Sequence, residues 1–118
     1  MATVLIVDDS RTSRRILKNI LIENEFEIAG EAEDGQSGYE MYIELNPDLV
    51  TLDITMPVLD GLSCLKKIMA FDKNAKVVMV TAAGQKSKMV DAIKSGASEF
   101  IQKPFEPEQI MSIIKTVI

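Results

Sequence analysis

Five polar residues in this chain stand where apolar runs end. Asp8 and Asp9 follow Val4-Leu5-Ile6-Val7, and Asp53 closes Leu49-Val50-Thr51-Leu52. Thr81 closes Val77-Val78-Met79-Val80, and Lys103 follows Glu99-Phe100-Ile101-Gln102. Singly, each has an ordinary reading. Asp8 or Asp9 can cap a helix, Asp53 can be a turn residue, Thr81 a β-branched strand terminus, and Lys103 a solvated loop lysine. Their coincidence is what suggests chemistry. Three carboxylates brought close together repel, and one becomes hard to ionise unless a cation intervenes. A lysine and a divalent metal both supply that cation. Hard oxygen ligands, too few for a calcium cage, suit a partly hydrated Mg²⁺, which commonly partners phosphate groups. A carboxylate can attack phosphorus to give an aspartyl phosphate. A cation, a lysine and a hydroxyl would then stabilise charge on the transferring group.

The elements that must position these residues follow from periodicity. Val4 to Val7 is a buried strand. Ile16, Leu17, Ile20 and Leu21 recur at helical spacing, with Arg14, Arg15 and Lys18 facing elsewhere, which predicts a helix from Ser10 to Asn24. Phe26 to Ala32 alternates as an edge strand does. Asp34-Gly35 caps a second helix with Tyr39, Tyr42 and Ile43 inside, ending near Leu45. Leu49 to Asp53 is the third strand, and Asp60 caps a third helix with the stripe Leu62, Leu65, Ile68 and Met69. Lys76 to Thr81 is the fourth strand, followed by a helix from Lys86 to Ser95 that Gly96 stops. Glu99 to Gln102 is a short fifth strand, and Pro107 opens a last helix carrying Ile110, Ile113, Ile114 and Val117.

Strand and helix alternate with short links, the pattern of an α/β, doubly wound parallel sheet with helices on both faces. The first, third and fourth strands are apolar throughout, so the second and fifth are edges. Right-handed crossovers then give the order 2-1-3-4-5. The winding reverses between strands one and three, and ligands of such sheets bind there, at the carboxyl ends. Asp8, Asp9 and Asp53 flank that reversal. Asp53 lies between the other contributors and is the candidate nucleophile.

Composition narrows the function. The 118 residues suit one domain, 1–118, and are 47% hydrophobic and 26% charged, as in a globular protein. A net charge of −5 argues against nucleic acid or anionic lipid as the main ligand. One cysteine, Cys64, precludes an internal disulfide and fits a reducing compartment. No basic leader and no run of transmembrane length is present, so the expectation is a monomeric, cytoplasmic protein. The absence of histidine removes His-based catalysis and metal ligation within the chain. Among seven methionines, Met69 and Met79 read as core, while Met89 and Met111 read as packing or as a partner surface.

Asp8-Asp9 after an apolar strand, Asp53 in Asp-Ile-Thr-Met-Pro…Asp-Gly, Thr81-Ala82 and Lys103-Pro104-Phe105 together resemble the receiver domain of two-component response regulators. With no output domain in the sequence, the chain is most similar to the stand-alone chemotaxis type. The resemblance implies Asp53 as phosphoacceptor and a Mg²⁺ ion held by Asp9, Asp53 and the backbone carbonyl of Thr55, with Asp8 acting through water. It implies Thr81 and Lys103 as ligands of phosphoryl oxygens, Phe100 as the switch aromatic coupled to Thr81, and a cis Lys103-Pro104 bond. It further implies a sensor histidine kinase as phosphoryl donor and leaves room for a phosphatase as a further partner. The fourth helix, fifth strand and fifth helix would form the face offered to a phospho-dependent target such as the flagellar motor switch. Arg11, Arg14 and Arg15 read either as a kinase contact or as a solvated helix face.

Three other readings remain. A stand-alone receiver also serves phosphorelays and regulation outside chemotaxis. A Mg²⁺-dependent phosphatase with an Asp nucleophile would share the sheet, but the short loops leave no cap over a substrate pocket. Flavodoxin-like proteins share the topology, yet Asp8-Asp9 would repel a cofactor phosphate. No Gly-x-x-x-x-Gly-Lys-Ser/Thr loop marks a nucleotide site.

Overall fold

The computed structural model describes residues 2–118. Strands and helices alternate as β1 (Thr3–Val7), α1 (Arg11–Glu23), β2 (Glu27–Ala32), α2 (Gly35–Leu45), β3 (Leu49–Asp53), α3 (Gly61–Phe71), β4 (Val77–Thr81), α4 (Lys86–Lys94), β5 (Glu99–Gln102) and α5 (Pro107–Val117). The five strands pair in the order β2-β1-β3-β4-β5, all parallel. Every residue of β3 and β4 is buried, as strands covered on both faces must be. The edge strand β2 is mostly half-exposed. Its pairing with β1 jumps from Ile28 to Gly30, so Ala29 is an unpaired extra residue.

Strand alternation divides the core in two. Leu5, Val7, Val50, Leu52, Val77 and Met79 pack with Leu65 and Ile68 of α3, Tyr42 of α2 and Ala92 of α4. Val4, Ile6, Leu49, Val78 and Ile101 pack with Leu17 and Leu21 of α1 and Ile110 and Ile114 of α5. Helix starts are fixed by caps: Ser10, Asp34 and Asp60 accept from the backbone N–H of Ser13, Ser37 and Ser63 at 3.2, 2.8 and 2.8 Å. Gly96 after α4 has φ +109°, a backbone that a side chain would strain. No helix among the described residues is long and apolar enough to cross a membrane.

Two details of the expected helix faces are corrected. Ile16 is 45% exposed and Ile43 40% exposed. The buried stripe of α1 runs through Arg14, Leu17, Ile20 and Leu21, so an arginine takes the position next to Leu17 and Ile16 falls outside. The buried side of α2 runs through Gly35, Gly38 and Tyr42, where Gly38 lets the helix approach Val7. Met79 is fully buried, Met69 and Met89 pack partly buried against the first core, and Met111 is buried in the second. Met111 is therefore a core residue, while Met89 packs against the core and keeps part of its side chain at the surface. Cys64 is buried on α3.

Candidate functional site

The alternation that builds the second core continues past the strand ends. Asp8 lies two residues beyond Ile6, Asp53 four beyond Leu49, and Lys103 two beyond Ile101, all core residues of that face. Their side chains converge. Lys103 Nζ lies 3.1 Å from Asp8 Oδ2 and 3.6 Å from Asp53 Oδ2. Asp8, Asp9 and Asp53 each offer a carboxylate oxygen, all within 4.8 Å of one another, in an arrangement that could hold a metal ion. Asp8 and Asp53 are buried, while Asp9 is exposed.

The backbone behind the acids is tightly constrained. A Cβ on Gly61 would lie 1.9 Å from the Asp53 carbonyl oxygen, so only glycine lets the start of α3 press against the end of β3. Gly61 N–H donates to the Ile54 carbonyl at 2.8 Å, and Ile54 N–H to the Val80 carbonyl at 3.1 Å. The Asp8 side chain accepts from Ser10 N–H at 2.8 Å, which shapes the turn into α1. Lys103 N–H donates to the Thr81 carbonyl at 2.8 Å, and the Lys103-Pro104 peptide is cis.

Burial pushes the Asp53 carboxyl up to about 6, and the neighbouring Asp8 and Asp9 charges push the same way. The Lys103 ammonium opposes them without cancelling them. The cluster is thus short of positive charge, and its donors are all hard carboxylate oxygens. Those two properties fit a small divalent cation.

Thr81 and Phe100 continue the opposite face, the one that carries Met79. Thr81 is buried, and Phe100 packs half-buried against the first core. Thr55, two residues past Asp53, is exposed, and its hydroxyl accepts from Gln85 Nε2 at 2.7 Å.

Two residues escaped the reading of the sequence. Arg14 does not face solvent. It is 8% exposed, donates to the Asp8 carbonyl at 2.7 Å, and contacts Glu31 and Glu33 at 3.4 Å each. It clamps the turn that carries the acids to the end of β2. Its place on the apolar stripe, three residues before Leu17, was the available signal. The other is Gln85, whose side chain reaches both Thr55 and the Ala82 amide. A glutamine at the head of a helix gives no cue of that kind.

The sequence profile of the response regulator receiver domain family matches residues 4–115. The chain is 48% identical to the chemotaxis protein CheY of Listeria monocytogenes over 115 residues, covering 98% of this chain and 97% of that protein. It is 46% identical to the CheY of Thermotoga maritima, covering 97% and 95%. Among solved structures, a chain of the CheX–CheY–BeF3–Mg²⁺ complex of Borrelia burgdorferi superposes with a TM-score of 0.94 at 41% identity, covering 98% of this chain and 88% of that one. A phosphorylation-responsive signalling role and the five-stranded doubly wound fold are common ground with these relatives. With its sequence matched almost from end to end, this chain belongs to the response regulator receiver domain family and is of the CheY-like kind.

Proposed function

We propose that the protein is a single-domain phosphorylation switch that accepts a phosphoryl group on Asp53 from a phosphohistidine of a separate kinase. The observation that supports this best is the meeting of three carboxylates and Lys103 Nζ at the carboxyl edge of the sheet. A carboxylate oxygen of Asp53 forms a bond to phosphorus as the P–N bond to the donor imidazole breaks. The imidazole keeps that electron pair and takes up a proton from solvent. Asp53 must be ionised to attack, and Lys103 favours the ionised form.

Asp9 and Asp53, with the Thr55 carbonyl and with Asp8 through water, would hold Mg²⁺, which supplies positive charge against the transferring group. Thr81, the last residue of β4, and Lys103, the first residue after β5, would receive phosphoryl oxygens. About two negative charges then arrive at a site that already repels anions. The loops after β4 and β5 can answer that charge only by closing in, which biases an existing equilibrium. Phe100, next to Met79 across the β4–β5 ladder, packs against the core that includes Ala92 of α4, a helix on which Val90 and Ile93 are 45% and 58% exposed. That face, α4 with β5 and α5, would bind a target protein. Similarity to chemotaxis CheY proteins, one of them solved in a complex with CheX, supports a target in chemotaxis such as the flagellar motor switch.

Incubation with Mg²⁺ and a small phosphoramidate, followed by intact mass measurement, tests the chemistry. One phosphoryl group should be gained by the wild type, and none by Asp53→Asn or in EDTA. A phosphorylated Asp53→Asn would refute the assignment.

A further inference from the structure

The β3–β4 ladder ends where Asp53 pairs with Val80. Two residues further along each strand stand Thr55 and Ala82, where the chains part. One side chain spans that opening. Gln85 Oε1 accepts from the Ala82 N–H at 2.7 Å, and Gln85 Nε2 donates to the Thr55 hydroxyl at 2.7 Å. The carboxamide thus adds a rung to the ladder after the backbone rungs have stopped.

Gln85 does not serve its own helix. It occupies the N-cap position of α4, yet its side chain makes no capping hydrogen bond. That position ordinarily favours Ser, Thr, Asp or Asn. The preceding Gly84, at φ +87° and with open space around it, lets the chain turn so that the side chain reaches back over the sheet edge. Thr55 and Ala82 are both exposed, so nothing else requires their polar groups to be satisfied by protein. The two loops joined are the one that follows Asp53 and the one that follows Thr81.

We propose that Gln85 is a positioning residue. Its carboxamide is a clasp that holds the loop after β3 to the loop after β4 in the resting arrangement, and it must release Ala82 before those loops close on a group at Asp53. The inference rests on the assignment of Asp53 above. Removing the clasp raises the free energy of the resting arrangement by the net worth of up to two hydrogen bonds to neutral partners. Affinity for an anion at Asp53 should therefore rise about three- to tenfold. The Thr55 hydroxyl contributes only through Gln85.

Beryllofluoride with saturating Mg²⁺ is the probe, titrated into the wild type, Asp53→Asn, Gln85→Met, Thr55→Val and the double variant of Gln85 and Thr55. Methionine keeps the bulk of glutamine and removes both hydrogen bonds, while valine leaves the Thr55 carbonyl in place. Gln85→Met should bind about three- to tenfold more tightly than wild type. Thr55→Val should gain less, and the double variant no more than Gln85→Met alone. In the free Gln85→Met protein the Ala82 amide should exchange its hydrogen faster. Equal or weaker binding by Gln85→Met, or additive effects in the double variant, would overturn the clasp while wild-type binding left the Asp53 assignment intact. Absence of binding by the wild type, or undiminished binding by Asp53→Asn, would overturn that assignment and the clasp with it.

Discussion

Replacing Asp53 with asparagine should make the metal-free protein more stable at neutral pH. The carboxyl is 8% exposed and faces Asp8 and Asp9, and its pKa rises from 3.8 to about 6. A folded-state pKa above the unfolded one means that ionisation opposes folding. The penalty is absent below pH 4, grows as pH rises through 6, and reaches about 3 kcal/mol above that. Asparagine removes the charge but gives up the Lys103 contact at 3.6 Å, although Lys103 keeps Asp8 at 3.1 Å. The amide also needs partners of its own. A net gain of about 1–2 kcal/mol should survive, or about 4–8 °C in Tm for a domain of this size. Thermal and urea unfolding in EDTA at pH 7.5 and at steps down to pH 4 would measure it. The advantage should shrink through pH 6 and be gone near pH 4. Adding Mg²⁺ should raise the Tm of the wild type and leave the variant unmoved. An asparagine variant no more stable than wild type at pH 7.5, or one whose advantage ignored pH, would refute the account of the site as an electrostatic strain held by the fold.

Three other substitutions read different parts of the framework. Arg14→Met should lose about 2–3 kcal/mol in urea unfolding, because the buried Asp8 carbonyl loses a charged donor while Glu31 and Glu33 can rehydrate. Val58 is 83% exposed at φ +66°, within a turn closed by Leu59 N–H donating to the Pro57 carbonyl at 2.7 Å. Val58→Asn should raise stability by about 1 kcal/mol, seen as a higher unfolding midpoint, since asparagine tolerates that backbone and valine does not. Thr51 is fully buried on β3, and its hydroxyl has no hydrogen-bond partner among the described residues. Thr51→Val should therefore gain about 1 kcal/mol by the same measurement.

What could be read in the sequence was whatever periodicity or chain order fixes. The unbroken apolar runs at Leu5, Val50 and Val78 put three strands at the centre, and the centre in turn fixed the strand order. The order then brought Asp8, Asp53 and Lys103 to one edge with no knowledge of any distance. Residues that act across elements, against their local pattern, stayed hidden. Ile16 looks more apolar than Arg14, yet Arg14 takes the buried position because it can satisfy the Asp8 carbonyl there. Ala29 sits in an alternating strand, and its bulge is visible only in the pairing with β1. Val58 gives no warning of a left-handed backbone, because β-branched residues ordinarily avoid it. Gln85 bonds Thr55, 30 positions away, beyond the reach of any helix or strand period.

The division of labour within the site follows from these costs. Repelling carboxylates can be kept close only if the backbone beneath them cannot yield. Asp8 and Asp53 accordingly extend β1 and β3, whose side chains are almost wholly buried, and Gly61 admits no slack behind Asp53. The groups that must answer a new charge have the opposite requirement. Thr55 is exposed between the buried Ile54 and Met56, and Ala82, Gly84 and Gln85 lie on a loop with no buried apolar side chain, joined to Thr55 by hydrogen bonds of modest net worth. A cation or phosphoryl group arriving at the rigid acids therefore meets loops that a few kcal/mol can move, while the sheet stays still. If the acids sat on loops, repulsion would relax by separation and no signal would pass. If Ala82, Gly84 and Gln85 lay within a buried strand, the binding energy of one small group could not shift them.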